Sequence, residues 1–377
     1  MISISMAAMV AVIVAKWVVA QPNFSKTTKL VLFSFSLFID LVILDIFRTD
    51  NLSSYFSELL LKLPLIIIPL YLIFIGQATR QFRIFLQLLS FLVLVISVFS
   101  SVNYFFHYQE INQLLLQSKH VPLIIKMHHI YFGIYMAICI WLHFMFFTET
   151  KQKLWLIMGV LQIITLHILV SRTGLVAFYV SIIFYLIYSS VRNKNLKLLL
   201  GGSMALFILI AGAYAGSKSF RNKIANSVED FEAIRTGEDI NYKSMAMRLE
   251  SLKTGIDVFK NKPLWGVGFE HFPEEIKNQY QRNKTKLYEI NWVAPHNQFV
   301  ESAATYGIFG LLVALLSVFV MVWLNAKNPL TLSVLVVILV SFMLESVIER
   351  QQGIIIYTLF GFGLCQYSVF RQKQTDI

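Results

Sequence analysis

An all-α polytopic membrane protein is the fold class that three observations predict. First, 57% of the 377 residues are hydrophobic and only 14% are charged, with a mean hydropathy of +0.66; a soluble domain carries about 25% charged residues. Second, apolar runs near the ~20 residues that span a bilayer recur along the chain. Third, the charges gather in the short segments between those runs. The formal net charge of +11 is therefore read as membrane topology, with membrane lipids rather than nucleic acid as its counterpart.

Spans are expected at roughly 2–20, 30–47, 59–76, 84–105, 123–147, 154–170, 174–191, 196–215, 298–324, 330–348 and 353–370, about eleven transmembrane helices. The first run lacks a basic leader and carries Lys16 late, so it reads as a span and not a signal peptide. The organisation is then an N-terminal transmembrane bundle over 1–215, about eight helices, a long loop over 216–297, and about three C-terminal helices and a short cytoplasmic tail over 298–377. Cys139 and Cys365 lie inside apolar runs and imply neither a disulfide framework nor a metal cluster.

Positive charges alternate between loops. Lys26 and Lys29, Arg80 and Arg83, Lys151 and Lys153, then Arg192, Lys194 and Lys197 share one parity, which Lys327, Arg371 and Lys373 continue. The opposite loops offer mainly Arg48, Lys119, Arg172 and Arg350. The positive-inside rule puts the C-terminus in the cytoplasm, and the N-terminus and the long loop outside. The Ser171–Gly174 turn, the loop and Glu349-Arg350 then share the outer face.

Within the loop, Ser217–Tyr242 is polar and reads as short helix and coil. Apolar residues at Met245, Leu249, Leu252, Ile256 and Phe259 recur at helical spacing, which predicts an amphipathic helix lying on the membrane surface. Asn261-Lys262-Pro263 ends it, because proline cannot continue the ladder. Gly266 and Gly268 permit a tight backbone path, whereas Gly307 and Gly310 read as sites of close helix packing.

Arg172 sits between two apolar runs, and Arg248 near the start of the loop helix. Each alone also reads as a snorkelling or solvated charge. On one face, two guanidiniums can clamp a diphosphate and neutralise it as it leaves, without a metal. His296 follows Pro295 at the start of a helix, where a neutral imidazole can take a proton from a hydroxyl; a ring bonded to backbone is the alternative. Asn297 is a candidate cap, and Glu301 a candidate to orient the ring or face water. His128-His129 point to different helix faces and make a poor metal pair. Asp40, Asp45 and Glu345 are carboxylates inside expected spans, open to a functional role or to internal pairing. No cofactor or metal site is expected.

These residues resemble the O-antigen ligase and polymerase family of bacterial inner-membrane glycosyltransferases. The likeness lies in Ser171-Arg172-Thr173-Gly174, Arg248, Asn261-Lys-Pro-Leu-Trp-Gly-Val-Gly268, Pro295-His296-Asn297 with Glu301, and Tyr306-Gly307-Ile-Phe-Gly310. The tail Glu345-Ser-Val-Ile-Glu349-Arg350-Gln351-Gln352-Gly353 is similar to some members. The resemblance implies a membrane-embedded fold of the GT-C kind and a metal-independent, inverting transfer. The glycan would pass from undecaprenyl diphosphate to a hydroxyl of lipid A–core or a similar acceptor, at the periplasmic face of the inner membrane. Arg172 and Arg248 would hold the diphosphate and His296 would engage the acceptor hydroxyl; Asn297, Glu301 and Trp265 are further candidate substrate contacts. A polysaccharide polymerase or O-linked protein oligosaccharyltransferase uses the same chemistry. A transporter or flippase for the same lipid-linked glycan is the reading from another class.

Overall fold

A computed structural model describes residues 4–20, 24–75 and 79–365. The described residues are helical with connecting turns and contain no strand. Among the described residues, seven helices are long and apolar enough to cross a membrane: Lys26–Arg48, Leu52–Phe74, Arg80–Phe106, His129–Thr150, Arg172–Arg192, Leu196–Gly216 and Gln298–Asn325. Four shorter apolar helices, Ser5–Val18, Lys153–Leu169, Pro329–Leu344 and Gln351–Cys365, fall at the other expected spans but are only 10–17 residues long. Residues 366–370 of the last expected span, and the tail with Arg371 and Lys373, lie outside the described residues.

The helices form two compact units, each assembled from separated stretches. The first holds the described residues of Met1–Arg83, Met247–Lys327 and Phe342–Ile377; the second holds Ile84–Ala246 and Asn328–Ser341.

In the first unit, Lys26–Leu44 packs between Pro64–Ile75 and Gln298–Asn325. Val31, Phe35, Phe38, Ile39 and Val42 recur at helical spacing and are all buried. Phe35 stacks on Tyr357 with ring centroids 4.4 Å apart. The Gln298–Asn325 helix is not continuous. Gly307 has φ +67°, and the backbone of Leu264-Trp265 enters the break. The Val267 and Gly268 N–H groups donate to Ala304 O and Thr305 O at 3.0 and 2.8 Å, and the Ile308 N–H donates to Pro263 O at 2.8 Å. The expectation of simple helix packing at Gly307 is thus corrected. A turn of the chain, not a second helix, makes the close approach, and only a positive-φ residue without Cβ admits it.

In the second unit, His129–Thr150 is buried along almost its whole length, against Lys153–Leu169 and Arg172–Arg192. Gly133 and Gly174 bring the helices into backbone contact: a Cβ on Gly174 would lie 2.5 Å from the Gly133 carbonyl oxygen. Trp141 Nε1 donates to Ser181 Oγ at 2.8 Å, which satisfies the indole where no water can.

The loop segment Lys218–Thr236 is one 19-residue helix, longer than the short helix and coil expected of it. Its inward residues include Ser219, Lys223, Asn226, Asp230 and Ala233, so the stripe is helical in period but largely polar. Hydrophobic periodicity cannot detect such a face.

Because a Cβ at Gly307 would sit 2.2 Å from Leu264 O, Gly307→Ala is expected to lose at least about 1–3 kcal/mol of stability. Gly212→Ala, where nothing lies within 4 Å, should be neutral or slightly stabilising. Thermal unfolding of the purified proteins in detergent compares the two.

Candidate active site

Three segments of the first unit meet at one carboxylate. The Ser244–Asn261 helix buries Ser251, Thr254, Gly255 and Val258, a stripe of mostly small residues. Of the five apolar residues at helical spacing, Met245 and Leu249 are exposed, and Leu252, Ile256 and Phe259 are half-buried. The glycine has a geometric reason, since a Cβ on Gly255 would lie 2.4 Å from Pro295 Cγ. The helix therefore approaches the Pro295-His296 corner closely, and Arg248, one turn before Ser251, is carried there with it.

Arg248 donates from Nη1 to Leu344 O at 2.7 Å and from Nη2 to Glu345 Oε1 at 2.5 Å. The other oxygen of Glu345 lies 2.9 Å from His296 Nδ1. The Arg248 charge on one oxygen and the His296 hydrogen bond on the other both favour an ionised Glu345 carboxylate. With Glu345 ionised, Nδ1 is the ring nitrogen that carries the hydrogen, and Nε2 is left as the basic one.

Asn297 caps the following helix, its side-chain oxygen accepting from the Val300 N–H at 3.0 Å, and donates from Nδ2 to Met343 O at 3.0 Å. Glu301 is buried and hydrogen-bonds Ser346, which also donates to Pro295 O at 2.6 Å. It is Glu345, not Glu301, that orients the histidine. The Trp265 ring is exposed and packs on Phe309 with centroids 5.0 Å apart. Its carbonyl accepts from Arg48 at 2.8 Å, and Asp45 accepts from the Phe269 N–H at 2.8 Å. Asp45, an unassigned carboxylate in the sequence, thus anchors the glycine-containing turn, together with its 3.2 Å ion pair to Arg48.

The structure brings Arg248 and His296 together through Glu345. Arg172 lies in the second unit at the first turn of its helix. One nitrogen, Nη1, reaches Asp230 Oδ2 at 3.3 Å, while Nε and Nη2 are buried without a hydrogen-bond partner among the described residues. The same Asp230 oxygen accepts from the Met245 N–H at 3.1 Å, at the start of the loop helix. Burial, joined by the Arg172 charge and only partly offset by Asp230, pushes the Lys223 ammonium down to about 8. Lys223 Nζ donates to Lys119 O at 2.6 Å.

These observations define a multi-pass helical membrane protein with a carboxylate-bridged arginine–histidine pair beside a long polar segment. A family model described as O-antigen ligase matches residues 157–315, and over that stretch the chain is similar to this family. No curated protein matches the chain. The matched stretch contains Arg172, Arg248 and His296 but ends before Glu345. The family implies a glycosyltransferase-like enzyme working on a lipid-linked glycan and an acceptor.

Lys223 makes a signed prediction. Between pH 8 and its ordinary value of 10.5, the unfolded chain holds a proton that the folded chain has released, so stability rises with pH in that window. The gain is at most about 3 kcal/mol. Lys223→Met should remove that rise, read as unfolding midpoints at intervals across the window.

Proposed function

We propose that the protein transfers a glycan from a polyprenyl diphosphate, of the undecaprenyl kind, to a hydroxyl acceptor such as lipid A–core. The observation that carries this reading is Glu345 held between Arg248 and His296. That arrangement is the orienting half of a general-base pair: the carboxylate fixes one ring nitrogen so the other can meet a hydroxyl.

In the proposed step, His296 Nε2 accepts the acceptor's O–H proton. The oxygen attacks the anomeric carbon from the side opposite the diphosphate. The carbon–oxygen bond to phosphate breaks, its electron pair leaves with the diphosphate, and the anomeric configuration inverts. Arg248 spends one donor each on Leu344 O and Glu345, and its remaining N–H groups serve the developing charge. Arg172, with two unpartnered nitrogens, is the second guanidinium assigned to the diphosphate. Asn297, Glu301 and Trp265 act around this centre: the first two hold the segment that bears His296, and the exposed Trp265 ring is a candidate surface for sugar. Polymerisation and O-linked protein glycosylation would use the same step with a different acceptor.

For topology, the proposal takes all eleven apolar helices as crossings of the bacterial inner membrane. The long loop, the candidate site and the transfer then belong to the periplasmic side, as the distribution of Lys and Arg requires.

Arg172→Ala, Arg248→Ala and His296→Ala should each lower turnover at least about a hundredfold while the proteins still accumulate in the membrane. Purified enzyme with lipid-linked donor and acceptor measures this. Wild-type rates in two of the three variants would defeat the mechanism, and donor crossing liposomes without product would indicate a flippase.

The orientation has a separate check. Lys277→Cys, exposed on the Phe272–Arg282 helix, should react with an impermeant maleimide in intact spheroplasts; both native cysteines are buried. Labelling only after permeabilisation would reverse the topology.

A further inference from the structure

Lys62 is an ammonium in the apolar Leu52–Phe74 helix, and it is only 2% exposed. Its Nζ donates to Ile348 O at 2.7 Å and to Glu349 Oε2 at 2.5 Å, and lies 3.2 Å from Glu58 Oε1. An ammonium has three donors, and here they meet three acceptors. A buried ion pair is usually no more stabilising than apolar residues of the same size. Stability alone therefore does not account for a lysine at this place, and its partners point to another use.

Those partners lie in the turn that carries Glu345. Lys62 takes the Ile348 carbonyl, and Gln298 Oε1 takes the Ile348 N–H at 2.7 Å. Lys62 takes one oxygen of Glu349, and Gln298 Nε2 donates to the other at 3.1 Å. Gln298 is two residues from His296. Ser346 Oγ donates to Pro295 O at 2.6 Å, and Asn297 Nδ2 to Met343 O at 3.0 Å. The histidine segment and the glutamate segment are thus stitched together at several points; Arg248 holds the Leu344-Glu345 end of the turn and Lys62 the Ile348-Glu349 end.

We propose that Lys62 is a positioning residue for the transfer reaction: by fixing the Ile348 carbonyl and the Glu349 carboxylate it sets the 345–349 turn, and through Glu345 the direction of His296 Nε2. The role rests on the transfer reading given above. Lys62 touches no substrate in this scheme and acts only through the turn.

The test is a double-mutant cycle on purified enzyme. Lys62→Met should cut kcat by about ten- to a hundredfold, the scale set by misplacing a reacting group by ~1 Å. KM for the lipid-linked donor should change little. In a Glu345→Gln background, where the histidine has already lost its charged partner, Lys62→Met should cost less than about threefold more. Equal losses in both backgrounds would make Lys62 merely structural, and an unchanged kcat would remove the role altogether.

If Lys62→Met does not accumulate, Lys62→Gln, which keeps a donor for the Ile348 carbonyl, and Glu349→Gln complete the same cycle. His296→Ala is measured alongside: turnover retained there rejects the transfer reading itself, whereas turnover lost there but kept in Lys62→Met rejects only the positioning role.

Discussion

A buried carboxylate must find cations or donors for both of its oxygens, and the polar end of the first unit is built around that demand at Glu345. One oxygen is met by Arg248 at 2.5 Å and the other by His296 at 2.9 Å. The two partners come from different parts of the chain, so their elements must be brought close. Gly255 allows the loop helix to touch Pro295, and Ser346, Asn297 and Gln298 tie the two ends of the turn to the start of the following helix. Without these neighbours the carboxylate would carry a desolvation cost of several kcal/mol. In the proposed transfer the same contacts would also set the direction of the His296 ring.

The glycine-containing turn after Pro263 shows how a break in a membrane helix can be made without stranding its backbone groups. Interrupting Gln298–Asn325 at Gly307 frees the Ala304 and Thr305 carbonyls and the Ile308 N–H, and in an apolar setting each must be paired. The Val267 and Gly268 N–H groups and the Pro263 carbonyl supply the partners. Tyr306, next to the break, packs into a core with Val42 and Tyr55, and Phe269 closes over it. The motif from Asn261 to Gly268 and the Tyr306-Gly307 pair are thus two halves of one joint, which is a physical reason for them to occur together.

Local signals were read directly from the sequence; contacts between distant segments were not. Apolar length marked the helices, and Asn297 before an apolar run marked a cap that the Val300 N–H confirms. Pro263 placed the end of the loop helix, which stops at Asn261. Glu345 was visible as a carboxylate in an apolar stretch, but nothing in its neighbourhood names His296, 49 residues away. Glu301, on the same helix as the cap, was the nearer candidate and turned out to face Ser346. Lys62 gave no signal at all, because a lysine near the edge of an apolar run reads as a topology charge until its partner 287 residues on is known. The polar inward face of Lys218–Thr236 escaped for a related reason: its period is helical, but the property that repeats is hydrogen bonding and not hydrophobicity.

The two arginines that the proposed transfer assigns to the diphosphate are held differently by the protein. Arg248 is anchored twice, to Leu344 O at 2.7 Å and to Glu345 at 2.5 Å. Arg172 has a single 3.3 Å contact to Asp230 and two buried nitrogens without a hydrogen-bond partner among the described residues. An unpartnered buried N–H costs about 1–3 kcal/mol, so in the proposed transfer Arg172 would gain from an incoming anion. Asp230 limits that gain, since it also holds the Met245 N–H and cannot follow the arginine freely. Nearby, Lys223 is pushed towards its neutral form by burial and by the Arg172 charge itself.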